Sequence, residues 1–148
     1  MRIQILSDLH IEFGEFQYPK TGADLVILAG DTHTKLNGVK WAIKEIPEVP
    51  VLYILGNHEF YGAKFPRLIE KLKIATQGSN VRILEEESIE IGVYRFFGAT
   101  LWTDMALHGD IQTGSIEALQ MNDYKKVAKT LPIENSALWI HGHVTFPP

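Results

Sequence analysis

The stretch VLYILGNHE, Val51 to Glu59, sets five apolar residues in a row ahead of a glycine and three side chains with chemistry in them. A half-exposed strand would alternate apolar and polar residues. An uninterrupted run of this length, closed by a turn, suits a strand buried on both faces of a parallel sheet. The same grammar occurs twice upstream, in RIQILSD (Arg2–Asp8) and DLVILAGD (Asp24–Asp31). Between the second and third runs lies KLNGVKWAIKEIP (Lys35–Pro47), where Val39, Ala42, Ile43 and Ile46 recur at helical spacing and Pro47 ends the pattern. The unit predicted is β-α-β with a right-handed crossover. A further helical stretch, AKFPRLIEKLKIATQ, places Phe65, Leu68, Leu72 and Ala75 on one face.

From Val81 the pattern changes. VRILEEESIEIGVYRFFGATLW holds three short β-prone pieces divided by Glu85–Glu87 and Gly92, and predicts an antiparallel meander packed against or continuing the first sheet. GSIEALQMNDYKKVAKTL (Gly114–Leu131) returns to helical propensity, and ALWIHGH (Ala137–His143) is a last strand. With 148 residues, 45% of them apolar, the expectation is one α/β domain over 1–148 with a β-rich second half. A formal charge of -4, from 14 Lys and Arg against 18 Asp and Glu, offers no basic stripe for nucleic acid. Cysteine is absent, which removes disulfides, thiolate metal sites and cysteine nucleophiles and fits a reducing cytoplasm. The opening MRIQILSDLH is too short and too polar for a leader or membrane segment, so a cytoplasmic location without membrane attachment is expected.

Each early strand ends in a reactive cluster: Asp8-Leu9-His10, Gly30-Asp31, and Gly56-Asn57-His58-Glu59. Parallel strands deliver all three clusters to one carboxyl edge, where open α/β sheets bind ligands. Hard oxygens converging with imidazoles point to metal. Asp8 and His10 offer one carboxylate and one nitrogen to a single ion. Asp31 can bridge two cations about 3.5–4 Å apart. Asn57 adds a neutral carbonyl, which keeps the site open to an anionic phosphate, and His58 is free to donate a proton. Taken singly, Asp8 or Asp31 reads as a turn or cap residue; together the clusters read as a site.

This series, with Gly142-His143 near the end, resembles the calcineurin-like metallophosphoesterase family. The resemblance runs in family order from Met1 to about Asp123 and resumes over Ala137–His143. It implies an αββα sandwich with two mixed β-sheets, incomplete here in the second half. It also implies two divalent ions, of manganese, iron or zinc, and a small phosphorylated substrate, monoester or diester. Asp8, His10 and Asp31 would ligate the first ion; Asp31, Asn57 and His143 the second. Asp31 and His58 would be the catalytic pair, with His58 protonating the leaving oxygen while a metal-bridging hydroxide attacks phosphorus. Glu59 would stand behind them, orienting His58 or a neighbour.

The pattern departs from the family in two places. Gly142-His143-Val144-Thr145 lacks the second histidine of the Gly-His-x-His turn, and the family's additional histidine-tipped strand has no counterpart, because such a crossover needs on the order of a dozen residues or more. The chain thus reads as shortened, each metal centre one imidazole short, with weak activity and an uncovered sheet that favours a homo-oligomer. His33 lies close enough to Asp31 to approach the site. His108 and His141 read as surface or packed residues, and Phe96, Phe97, Trp102 and Trp139 as core or sheet-face aromatics, although Trp102 and Asp104 lie in a stretch resembling a family loop near the site. The rival function is a catalytically impaired relative that keeps the fold and partial metal binding and serves as a binding module. A nucleotide-binding module is disfavoured, since neither a Gly-x-Gly-x-x-Gly nor a phosphate-loop motif occurs.

Overall fold

The structure, a computed structural model, describes residues 1–101 and 109–127. The three apolar runs form β1 (Ile3–Leu6), β2 (Leu25–Ala29) and β3 (Val51–Ile54). They pair in parallel with β4 (Val81–Ile83), in the order β1-β2-β3-β4. The register sets Ile5 beside Ile27, Ile27 beside Leu52 and Tyr53 beside Ile83. The meander expected from Val81 therefore begins one strand later. The reason is the helix before it, which carries the chain back along the sheet so that Val81 extends the parallel ladder. The chain then forms an antiparallel hairpin, β5 (Glu87–Ile91) and β6 (Tyr94–Gly98), turned through Gly92 at φ +62°. Among the described residues the architecture is thus α/β, with a parallel sheet and a small antiparallel one.

Alternation within the strands separates two cores. Val26, Leu28, Val51, Tyr53, Val81 and Ile83 face one side, where Val39 and Ala42 of α1 (Asn37–Glu45) and Leu68 and Leu72 of α2 (Arg67–Ala75) meet them. Leu25 and Leu52, with Leu84 just past β4, face the other side, covered by Ile89, Ile91 and Phe96 of the hairpin. Burial on both faces explains why β2 and β3 lack polar alternation. The hairpin packs so closely that a Cβ at Gly98 would lie 2.5 Å from the Leu84 Cβ. Phe97, on the hairpin's outer face, is exposed. Helical propensity late in the chain resolves into α3 (Ile111–Ala118) and α4 (Asn122–Lys126). The first starts earlier than expected because the Asp110 carboxylate caps it, accepting from the Gln112 and Thr113 backbone at 3.1 Å. No helix among the described residues is long and apolar enough to cross a membrane.

Lys73 at the end of α2 pairs with Glu87 of β5, and Arg82 reaches the same carboxylate at 3.4 Å. The Lys73 ammonium, more than the Arg82 guanidinium, holds the Glu87 carboxyl below its ordinary 4.5 against a smaller upward push from burial. A depressed folded value means that this stabilisation is complete above the unfolded value and is lost as pH falls through the folded one. Glu87→Gln should therefore flatten the acid limb of a stability curve below about pH 4.5, by no more than about 1 kcal/mol for a pair this exposed. Leu28 is fully buried, whereas Ile5 is 66% exposed. Leu28→Ala should cost about 3–5 kcal/mol by urea denaturation, and Ile5→Ala less than about 1.

Candidate active site

Backbone pairing continues past the ends of the strands. Asp8 N donates to Gly30 O at 3.2 Å, His10 N to Asp31 O at 2.9 Å and Ile11 N to Thr32 O at 3.0 Å. The loops after β1 and β2 are thereby laid side by side. Asp8, His10 and Asp31 all have left-handed backbones, at φ of 55°, 45° and 52°. A residue with a Cβ spends about 1–3 kcal/mol to stay there, and such strain gathers where side chains must be aimed. Here it brings the Asp8 and Asp31 carboxylates and the His10 imidazole together, with one ligand atom from each within 4.8 Å of the others. The His10 Nε2 lies 4.0 Å from Asp8 Oδ1. Mixed nitrogen and oxygen donors in this arrangement fit a divalent ion such as manganese, iron or zinc.

Beneath this trio, Glu59 is fully buried. Its Oε2 accepts from Gly56 N at 2.8 Å and Asp31 N at 3.1 Å, and its Oε1 from Thr32 N and the Tyr53 hydroxyl at 2.9 Å each. Burial pushes the Glu59 carboxyl up, and these donors pull against it without cancelling the rise. The Tyr53 hydroxyl is pushed well above its usual range, first by burial and then by the Glu59 charge. Glycine is required opposite Asp31, since a Cβ at Gly56 would stand 2.2 Å from the Asp31 Oδ1.

His58 begins a short 3-10 turn, His58–Phe60, and its N–H donates to Asp31 Oδ1 at 2.9 Å. Its Nδ1 lies 2.6 Å from Glu12 Oε1, and its ring is edge-on to His10 with centroids 4.3 Å apart. Tyr61 covers its other side, also at 4.3 Å. Asn57 uses its amide nitrogen on Asp123 at 2.5 Å and on the Tyr61 hydroxyl at 3.3 Å. The group left for a ligand is its carbonyl oxygen. Burial, then the hydrogen bond to Asp123, pushes the Tyr61 phenol up to about 12. Burial raises the Asp123 carboxyl, but bonds from Tyr61 and Asn57 outweigh it and hold it below 3.8.

A family model for the calcineurin-like phosphoesterases matches residues 1–147. The chain belongs to this family. Phosphopantetheinyl hydrolase from Mycobacterium tuberculosis has a similar fold, with a TM-score of 0.64 at 14% identity over 95% of this chain. The chain spans 59% of that protein's length. No curated protein sequence matches it.

Of the residues singled out in the sequence, Asp8, His10 and Asp31 lie together, and His58 is bonded to Asp31 through its backbone N–H, with Asn57 beside it in the chain. Glu59 touches the Asp31 backbone rather than His58; the residue that holds the His58 ring is Glu12. His143 lies outside the described residues, as do Trp102, Asp104, His108, Trp139, His141 and Thr145. His33 does approach, with its Nδ1 3.9 Å from Glu12 Oε2. Sequence reasoning missed Glu12, Tyr61 and Asp123. The spacing Asp8-x-His10-x-Glu12 was the available signal for the first. Asp123 carried none, because α4 brings it across 66 residues to Asn57.

Glu59→Gln should be severe although it is isosteric. The amide keeps one acceptor and turns an N–H toward the donors, leaving at least one buried N–H unsatisfied at about 1–3 kcal/mol each. A loss of about 2–4 kcal/mol by chemical denaturation is expected. A loss under about 0.5 would show that the carboxylate does not bind the strand ends together.

Proposed function

We propose that the chain is a divalent-metal-dependent phosphoesterase acting on small phosphomonoesters or phosphodiesters. The observation that carries this reading is the convergence of Asp8, His10 and Asp31 at one sheet edge, with His58 fastened to the same Asp31. Asp8, His10 and Asp31 would hold one ion. Asp31, the Asn57 carbonyl and His143 would hold a second. Bound ions of this kind supply Lewis acidity to a phosphoryl oxygen and make a water nucleophile available near neutral pH. His58, next to Asp31 and packed between His10 and Tyr61, would give its proton to the leaving oxygen. The depressed Asp123 carboxyl and the raised Tyr61 phenol favour an ionised acceptor and a protonated donor beside Asn57 across the neutral range. That pairing keeps the Asn57 amide turned one way.

Protein purified without chelator should carry manganese, iron or zinc by elemental analysis, and Asp31→Asn should lose most of it. Manganese-dependent hydrolysis of an aryl phosphodiester is expected. His58→Ala should lower kcat about 100-fold or more for a poor leaving group, and far less for a nitrophenolate, which needs little protonation. Metal content indifferent to Asp31→Asn, together with a rate indifferent to both Asp31→Asn and His58→Ala, would overturn the assignment.

A further inference from the structure

Glu12 lies at the centre of the site without belonging to the expected ligand set. Its side chain is only 12% exposed, and three imidazoles surround it. The Oε1 lies 2.6 Å from His58 Nδ1 and 3.5 Å from His10 Nδ1. The third ring, His33, already uses its Nδ1 to accept from Thr34 N at 2.7 Å, so that atom is no donor to Glu12. Two rings remain. Among the described residues, His10 Nδ1 and Glu12 Oε2 are buried without a hydrogen-bond partner, and both belong to this cluster. The His10 Nδ1 is thus a buried donor or acceptor 3.5 Å from the Glu12 carboxylate, which has an oxygen to spare. The opposite nitrogen of His10, Nε2, faces Asp8.

We propose that Glu12 is the shared positioning residue of the site. Its carboxylate accepts the Nδ1–H of both His10 and His58, so that the Nε2 of His10 is presented to the ion and the Nε2 of His58 to the leaving group. A histidine that ligates through one nitrogen commonly donates its other N–H to a carboxylate, which fixes tautomer and ring angle. Here one carboxylate serves a metal ligand and a proton donor together. During transfer the proton on His58 Nε2 moves to the leaving oxygen, while the proton on Nδ1 stays with the ring, bonded to Glu12. The inference rests on the proposed function for its roles, but its geometry can be read without turnover.

The test uses the full chain labelled with 15N-histidine, first free of metal and at a pH where the rings are neutral. His58 is expected in the Nδ1–H tautomer. Glu12→Ala should return it toward the Nε2–H form that a free imidazole favours, and Glu12→Gln, which keeps a carbonyl acceptor, should preserve Nδ1–H. Affinity for manganese alone, measured by calorimetry, should fall about 10–100-fold in Glu12→Ala and by a smaller factor in Glu12→Gln. It should be unchanged in His58→Ala. On a poor leaving group, Glu12→Ala should lower kcat with little change in KM, and the loss should shrink in a His58→Ala background. A wild-type tautomer or wild-type manganese affinity in Glu12→Ala would overturn the proposal. So would loss of the metal in His58→Ala, which would make Glu12 and His58 ligands themselves. A protein with no turnover at all would refute the proposed function and leave the tautomer and affinity results standing.

Discussion

A buried carboxylate must find donors or give up its charge. Glu59 finds four, and they come from the ends of two neighbouring strands: Asp31 and Thr32 after β2, Gly56 after β3, and Tyr53 within β3. The remainder of the site depends on that knot. It fixes the distance between the second and third loops, and so where the Asp31 side chain stands relative to Asn57 and His58. It also accounts for the glycines. The two turns approach so closely that a Cβ at Gly30 would lie 3.1 Å from the Gly56 Cα, and one at Gly56 would strike Asp31. Tyr53 reaches Glu59 from the apolar side of the sheet, and Gly38 of α1 leaves room for it: a Cβ there would be 2.1 Å from the Tyr53 hydroxyl.

Among the described residues, left-handed backbones at residues other than glycine occur at Asp8, His10, Asp31, Lys35 and Glu86, and the first three meet at the carboxyl edge of the sheet. Three left-handed residues, Asp8, His10 and Asp31, would together cost several kcal/mol in an isolated peptide. They persist because hydrogen bonds between the first and second loops over-determine their backbones, and because the strands beneath are held by apolar cores on both faces. The loop after His10 is anchored as well. Tyr18 and Thr21 donate to Gln4, and Trp41 of α1 donates to Phe16 O at 3.3 Å. Rigid support under strained turns is what lets a site keep its side chains aimed before any ligand arrives.

Two polar groups flank the catalytic candidates on opposite sides. Glu12 borders His10 and His58, and the Tyr61–Asp123 pair borders Asn57. The second group ties α4 to the site, reinforced by Gly62 N donating to Lys126 O at 2.9 Å and by the Lys126 ammonium 4.9 Å above the Tyr61 ring. The last helix, α4, is therefore attached to the site through polar contacts. Such contacts depend on few residues and leave little trace in hydrophobic periodicity.

The sequence alone determined the parallel α/β core, the helices between its strands, and the convergence of Asp8, His10, Asp31, Asn57 and His58. Those features arise from local regularities: the apolar run, the helical period, and the rule that parallel strands end at one edge. Even the family was legible, because its clusters occur in order after strands. Only the tertiary structure decided that Val81–Ile83 extends the parallel sheet, since a three-residue strand has the same local pattern in either direction. It also decided that Glu59 binds backbone rather than His58, and that Glu12 and Asp123 belong to the site. The physical reason is the same in each case. A hydrogen bond between side chains 46 or 66 residues apart requires only that two polar atoms meet, and nothing in either neighbourhood records the other.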